Sequence, residues 1–335
     1  MLRVALVGAG RAGLNHAVQL AEHVPAAAVT AVVDADAERA GALAARFGAA
    51  AHGALADALE GCDAVVIATP TFTHRDLAVQ AAAAGKHVFC EKPMALTAAE
   101  CDAMAAAAER AGVVLQIGFM RRFQPEFAEA RRRIEAGELG DPMVIKSLTR
   151  GPGLPPRWAW DPETSNGMLA EVNSHDFDSV RWLMGTEITR VYAEAVNIKG
   201  PERGVDVAGF YDNAVVALRL ASGAIGTIDG TCPADYGYDA RVEIVGTRGL
   251  LQIGDVRGQP LLMVQDRDAG GIVPVHRTWP ERFAAGYREQ MRAFVAAALA
   301  GAAPAVTARD GRAAVVAVRA ANTSWREGRP VELAR

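Results

Sequence analysis

The chain has 335 residues, 51% of them hydrophobic and 22% charged, which supports a substantial core and suits two ordinary domains better than one. A formal net charge of −4 leaves no basic surplus to gather phosphate backbones, so nucleic acid is not expected as a partner. Four cysteines (Cys62, Cys90, Cys101, Cys232) lie without CxxC or Cys/His spacing, so neither a metal site nor a disulfide framework is expected.

From the first residue the pattern alternates. Apolar runs at 2–7, 29–33, 64–68, 87–90 and 113–117 predict strands, and Ala-, Leu- and Glu-rich stretches at 12–23, 37–47, 73–84 and 98–111 predict helices between them. Such alternation implies parallel pairing through right-handed crossovers, with helices covering both sheet faces. The first run enters a glycine turn without a signal peptide's longer apolar region, and the apolar stretch 103–119 is broken by Glu109, Arg110 and Gly112. A cytoplasmic protein with no membrane span is therefore expected.

After Gly118 the pattern changes. A helix over 125–136 carries Arg131, Arg132 and Arg133 beside Glu129 and Glu135, the composition of a solvated face. An irregular stretch, 151–166, holds four prolines together with Trp158 and Trp160. Strand-like runs follow at 191–198, 214–220, 224–230, 241–245 and 250–253; the short turns between several of them predict antiparallel pairs. Helices at 280–299 and 311–326 close the chain. The fold class is thus α/β: a Rossmann dinucleotide-binding domain over 1–120, then an α+β domain over 121–335 with a large, mainly antiparallel sheet.

The first helix opens on Gly8-Ala9-Gly10-Arg11-Ala12-Gly13, directly after a strand. Gly8 permits the tight turn, Gly10 lets a pyrophosphate approach the backbone, and Gly13 lets helix and strand pack closely. The helix N-terminus offers free amides to the phosphates, and Arg11 adds a charge. Asp34 ends the second strand, 21 residues after Gly13. A carboxylate there binds ribose hydroxyls and repels a 2′-phosphate, which predicts NAD rather than NADP. Thr69, Pro70 and His74 follow the next strand and are expected to flank the cofactor; local hydrogen bonding by His74 is the competing reading.

Glu91-Lys92-Pro93 again follows a strand, and 79 residues beyond Lys92 come Glu171 and His175. Four apart on a continuous helix, these two would share a face. Removing hydride from an alcohol carbon needs a base for the hydroxyl proton, a task suited to an imidazole beside a carboxylate. The glycine fingerprint, the Glu-Lys-Pro triplet and the acid-x-x-x-His-Asp segment together resemble the Gfo/Idh/MocA oxidoreductase family over essentially the whole chain. Gly118-Phe119-Met120-Arg121-Arg122-Phe123 and Tyr236-Gly237-Tyr238-Asp239 are similar to its inositol dehydrogenase branch.

The resemblance implies a Lys92, Glu171, His175 triad that oxidises a secondary hydroxyl of a cyclitol or sugar. Glu91 and Lys92 would also border the cofactor. Met120, Arg121 and a tyrosine from Tyr236 or Tyr238 would line the substrate pocket, and a homodimer or homotetramer would form through the outer face of the antiparallel sheet. Asn173, a further candidate for the substrate, differs from the inositol dehydrogenases at its position, as do Ser174 and the segment 151–160. Glu171 departs from the family's usual aspartate. The rival readings are a sugar hydrolase or lyase working by transient oxidation, an aminocyclitol or keto-sugar reductase, and a non-enzymatic NAD-binding regulator; the Lys92/His175 pair argues against the regulator.

Overall fold

The computed structural model describes residues 1–254 and 278–333. The chain forms two compact units, Met1–Phe123 with Ala285–Val315, and Gln124–Ala284 with Val316–Arg335. The segment 285–315, which the sequence reading placed in the second domain, thus belongs to the first unit.

The first unit runs β1 (Leu2–Val7), α1 (Arg11–His23), β2 (Ala27–Val33), α2 (Ala37–Phe47), β3 (Ala50–His52), β4 (Ala64–Ile67), α3 (His74–Ala83), β5 (His87–Cys90), α4 (Ala98–Ala111) and β6 (Leu115–Ile117). Its strands form one parallel sheet in the order β3-β2-β1-β4-β5-β6. The order reverses between β1 and β4, and a crevice outside their carboxyl ends is where open α/β sheets take ligands. Helix boundaries follow local chemistry. The Asp36 side chain accepts the Arg39 N–H to start α2, a Thr97/Glu100 capping box starts α4, and α4 stops at Gly112 in the left-handed conformation. Leu6, Leu20, Val32, Val66 and Phe89 form a core that Met291, Phe294 and Val295 of the returning segment complete.

The second unit begins with α5 (Pro125–Glu135) and β7 (Pro142–Arg150), followed by three short helices, α6 (Pro162–Ser165), α7 (Gly167–Glu171) and α8 (Ser174–Met184). Then come β8 (Ile188–Val196), β9 (Asn213–Leu220), β10 (Ile225–Thr231), β11 (Asp239–Gly246), β12 (Gly249–Ile253), α9 (Trp279–Arg282), α10 (Ala284–Ala300), α11 (Ala308–Glu327) and β13 (Val331–Glu332). All of α10 but its first residue lies in the first unit, and α11 starts in the first and ends in the second. The sheet order is β12-β11-β7-β10-β9-β8-β13. Every neighbouring pair is antiparallel except β7 with β10, whose long connection permits a parallel match. Ile145, Ser147 and Thr149 of β7 are buried on the helix-covered face, and Lys146 between them is exposed on the other.

The expected helix 280–299 is two helices parted at Phe283, whose buried ring meets Phe127 and Tyr238. In the stretch 151–166, Trp160 donates Nε1–H to Pro155 O, and the Arg157 guanidinium lies over its ring. Arg131, Arg132 and Arg133 pair with Glu129, Glu135 and Glu138 at the surface. Among the described residues no helix is long and apolar enough to cross a membrane, and no cluster of His, Cys, Asp or Glu could hold a metal ion.

Candidate active site

In the first unit, the turn from β1 into α1 accepts only glycine at two places. Gly8 has φ +101°, and a Cβ there would stand 2.5 Å from Ala68 O; one on Gly13 would stand 1.8 Å from Gly8 O. Gly10 is different: a Cβ there meets nothing within 4 Å. It precedes α1 without a side-chain cap, so the first amides of the helix remain for a ligand. The Asp34 carboxylate stands beside this turn, accepting the Ala9 N–H at 2.7 Å and the Asp36 N–H at 2.9 Å. Each oxygen keeps capacity for a hydroxyl donor. An open glycine, uncapped amides and an adjacent fixed carboxylate fit the pyrophosphate and ribose of a dinucleotide. Arg11 is exposed and Ala12 half-buried at the same turn.

Thr69 and Pro70 follow β4 and are half-buried. Thr73 donates its hydroxyl to Pro70 O at 2.7 Å, so Thr69 is the donor in the 2.6 Å contact between the two threonine hydroxyls. His74 is buried beneath them. Its Nε2 lies 2.9 Å from Thr69 O and its Nδ1 2.9 Å from Pro93 O, so the neutral imidazole donates to one of these two carbonyls and only the protonated ring to both. Lys92 is half-exposed, and the peptide joining it to Pro93 is cis. Glu91 is turned inward, only 7% exposed, with Oε1 2.7 Å from His16 Nε2 and Oε2 accepting the Lys92 N–H at 3.0 Å. Burial raises the Glu91 carboxyl, but the bonds to His16 and the charge of Lys92 outweigh it and hold the group below the usual range. Met120 and Arg121 are buried in a tight turn, followed by Arg122, which pairs with Asp310 at 2.9 Å.

The second unit holds the remaining candidates. Glu171 ends α7 and His175 sits in the first turn of α8, with Val172 and Asn173 outside both helices. The expectation of one continuous helix face is therefore corrected. Asn173 is the reason: its side chain donates to Asp176 Oδ2 at 2.9 Å and to Asp229 O, and its carbonyl accepts the Asp176 and Phe177 amides that open the new helix. His175 is 5% exposed. Beside it Asp176, fully buried, accepts Ser147 Oγ at 2.6 Å and Thr149 Oγ1 at 2.7 Å, pinning α8 onto β7. The start of α7 is held by Tyr211, whose hydroxyl accepts the Leu169 N–H and donates to Asn322. Tyr236 bonds Asp239 and Arg150 through its hydroxyl, and Tyr238 is buried edge-on to Phe283.

His16 and Asp176 were not among the residues read from the sequence as functional. Each underlies a residue that was.

Two family profiles cover this architecture. Residues 2–119 match the oxidoreductase family with an NAD-binding Rossmann fold, and residues 127–252 match the GFO/IDH/MocA C-terminal domain. The chain belongs to the Gfo/Idh/MocA oxidoreductase family. Within that family it is 36% identical to a scyllo-inositol 2-dehydrogenase (NAD(+)) of Bacillus subtilis, over 99% of this chain and 96% of that one. It is 34% identical to a myo-inositol 2-dehydrogenase of Thermotoga maritima, over 99% and 98%. Among solved structures, scyllo-inositol dehydrogenase of Lactobacillus casei with bound NAD(H) and scyllo-inositol superposes at a TM-score of 0.87 and 27% identity, covering 99% of both chains. GenD2 from gentamicin A biosynthesis, in complex with NAD, gives 0.88 at 32% identity, covering 100% of this chain and 97% of that one.

Proposed function

We propose that this Gfo/Idh/MocA oxidoreductase oxidises a secondary ring hydroxyl of a cyclitol, of the inositol class, to the ketone. The observation that carries the reading is full-length similarity to two inositol 2-dehydrogenases at 34% and 36% identity. NAD+ supplies the hydride acceptor when bound. Gly10 and the amides at Arg11 and Ala12 would hold its pyrophosphate in a turn that Gly8 and Gly13 make possible, Asp34 would take its ribose hydroxyls, and Thr69 and Pro70 would border it. His175 takes the hydroxyl proton as general base. Lys92 donates a hydrogen bond to the reacting oxygen and lowers the cost of alkoxide character. Glu171 tunes the charge around them. Met120, Arg121 and a tyrosine, Tyr236 or Tyr238, shape the substrate pocket; Asn173, fully buried and bonded to Asp176 and the Asp229 carbonyl, holds the α7–α8 junction instead.

Purified protein given NAD+ and a panel of inositol stereoisomers is expected to form NADH. Lys92→Ala and His175→Ala should each lose at least about 100-fold in kcat while keeping NAD affinity. Retained turnover in both variants removes these roles, and a leaving group released without net NADH points instead to a hydrolase or lyase. A second reading, reduction of a keto-sugar or aminocyclitol, draws on the likeness to GenD2; NADH consumption by such a ketone in the absence of inositol oxidation identifies it.

A further inference from the structure

The residue before Lys92 turns its side chain into the first unit. Glu91 is 7% exposed and both of its carboxylate oxygens are engaged within the first unit, one by His16 Nε2 and the other by the Lys92 N–H. Gly118 leaves room for this carboxylate: a Cβ there would lie 3.1 Å from Oε2 and 3.2 Å from the Glu91 Cα. His16 is wholly buried, wedged edge-on between Phe89 at 5.1 Å and Tyr287 at 5.8 Å between centroids, so its ring cannot follow a moving partner. The main chain around Lys92 is held at three successive points. The Glu91 N–H donates to Ile67 O, the Lys92 N–H to the Glu91 side chain, and Pro93 O faces His74 Nδ1.

From this geometry we infer that Glu91, aligned by His16, is a positioning residue that fixes the main chain of Lys92 and hence the direction in which its ammonium points. The inference rests on the proposed role of Lys92 in the reaction. Glu91 touches neither cofactor nor substrate. It acts by leaving Lys92 only its side-chain torsions to search, and misplacement by an ångström at a reacting centre costs on the order of 100-fold in rate.

The test compares Glu91→Ala, His16→Leu, His16→Gln and Lys92→Ala by steady-state kinetics with NAD+ and inositol, together with NAD affinity measured by fluorescence titration without substrate. Glu91→Ala and His16→Leu are expected to lower kcat by about 10- to 100-fold, with the NAD dissociation constant changed less than about threefold. His16→Gln, which returns an N–H donor toward Glu91, is expected to recover most of the loss. A kcat for Glu91→Ala within about threefold of the parent, with Lys92→Ala inactive, overturns the inference and leaves the role of Lys92 standing. Weakened NAD binding at unchanged kcat also overturns it, by making Glu91 a cofactor contact. Full activity in Lys92→Ala removes the underlying reading instead. Should Glu91→Ala fail to fold, His16→Leu carries the test alone, since it removes the partner that aligns the Glu91 carboxylate; unchanged kcat there counts against the inference.

Discussion

Two glycines in the β1–α1 turn separate folding from binding. The absent side chain of Gly13 makes room for the Gly8 carbonyl, whereas that of Gly10 makes room for nothing in the protein itself. Gly13→Ala is therefore expected to destabilise the fold by about 1–3 kcal/mol through forced displacement of α1 and to lose NAD binding with it. Gly10→Ala should melt within about 0.5 kcal/mol of the parent yet bind NAD at least roughly tenfold more weakly. Parallel thermal melts and NAD titrations check both, and equal melting of the two variants removes the distinction. His74 adds a pH dependence. Burial pushes its imidazole below the ordinary 6.5, partly offset by the backbone partners Thr69 and Pro93. The unfolded chain then takes up that proton before the folded one. The His74 contribution is complete above about pH 6.5 and declines as pH falls from there toward the folded value. The parent's melting temperature should drop between about pH 7.5 and 5.5 by more than that of His74→Asn; parallel curves dispose of the assignment.

At the scale of elements, the break between α7 and α8 turns on a buried polar cluster. Asp176 collects donors from Ser147, Thr149 and Asn173. Its replacement by alanine strands them, which at the usual cost of unsatisfied buried groups amounts to about 3 kcal/mol or more, read by urea unfolding. A loss below about 1 kcal/mol would show that α8 is held by apolar contacts alone. This cluster marks where sequence reasoning stopped. The alternation of β1, α1, β2 and α2 was legible because apolar runs and glycine spacing report local geometry directly, and Asp34 was placed by counting from the fingerprint. β3 was not, since Ala50–His52 carries no apolar run and pairs only at a sheet edge. The Glu171–His175 spacing suggested one helix face because spacing alone does not reveal that the Asn173 side chain bonds Asp176 and the Asp229 carbonyl. His16 lies on the buried stripe Gly13–Ala17–Leu20 of α1. Its partner stands 75 residues away, a separation that no local pattern discloses.

At the scale of the whole molecule, the seven-stranded sheet presents a face that its helices leave uncovered. Tyr192, Val196, Val215, Ile225 and Leu250 are exposed there, and Tyr192, Val215 and Ile225 lie between buried neighbours along the chain. We propose that a second copy of the chain covers this face, since large apolar side chains gathered on one surface mark association sites. Light scattering should return a multiple of 35.2 kDa, and Val215→Glu with Ile225→Glu should shift it to the monomer. A parent that already scatters as a monomer removes the proposal.

The return of 285–315 to the first unit also has a temporal side. During synthesis, the β1–β6 sheet emerges from the ribosome long before Met291, Phe294 and Val295, which arrive roughly 170 residues after Phe123. At 5–20 residues per second that interval is about 10–30 s, during which the nascent sheet has a greasy flank with no covering helix. The first half of the polypeptide is thus committed to wait for the last, and chaperone demand should concentrate in that window.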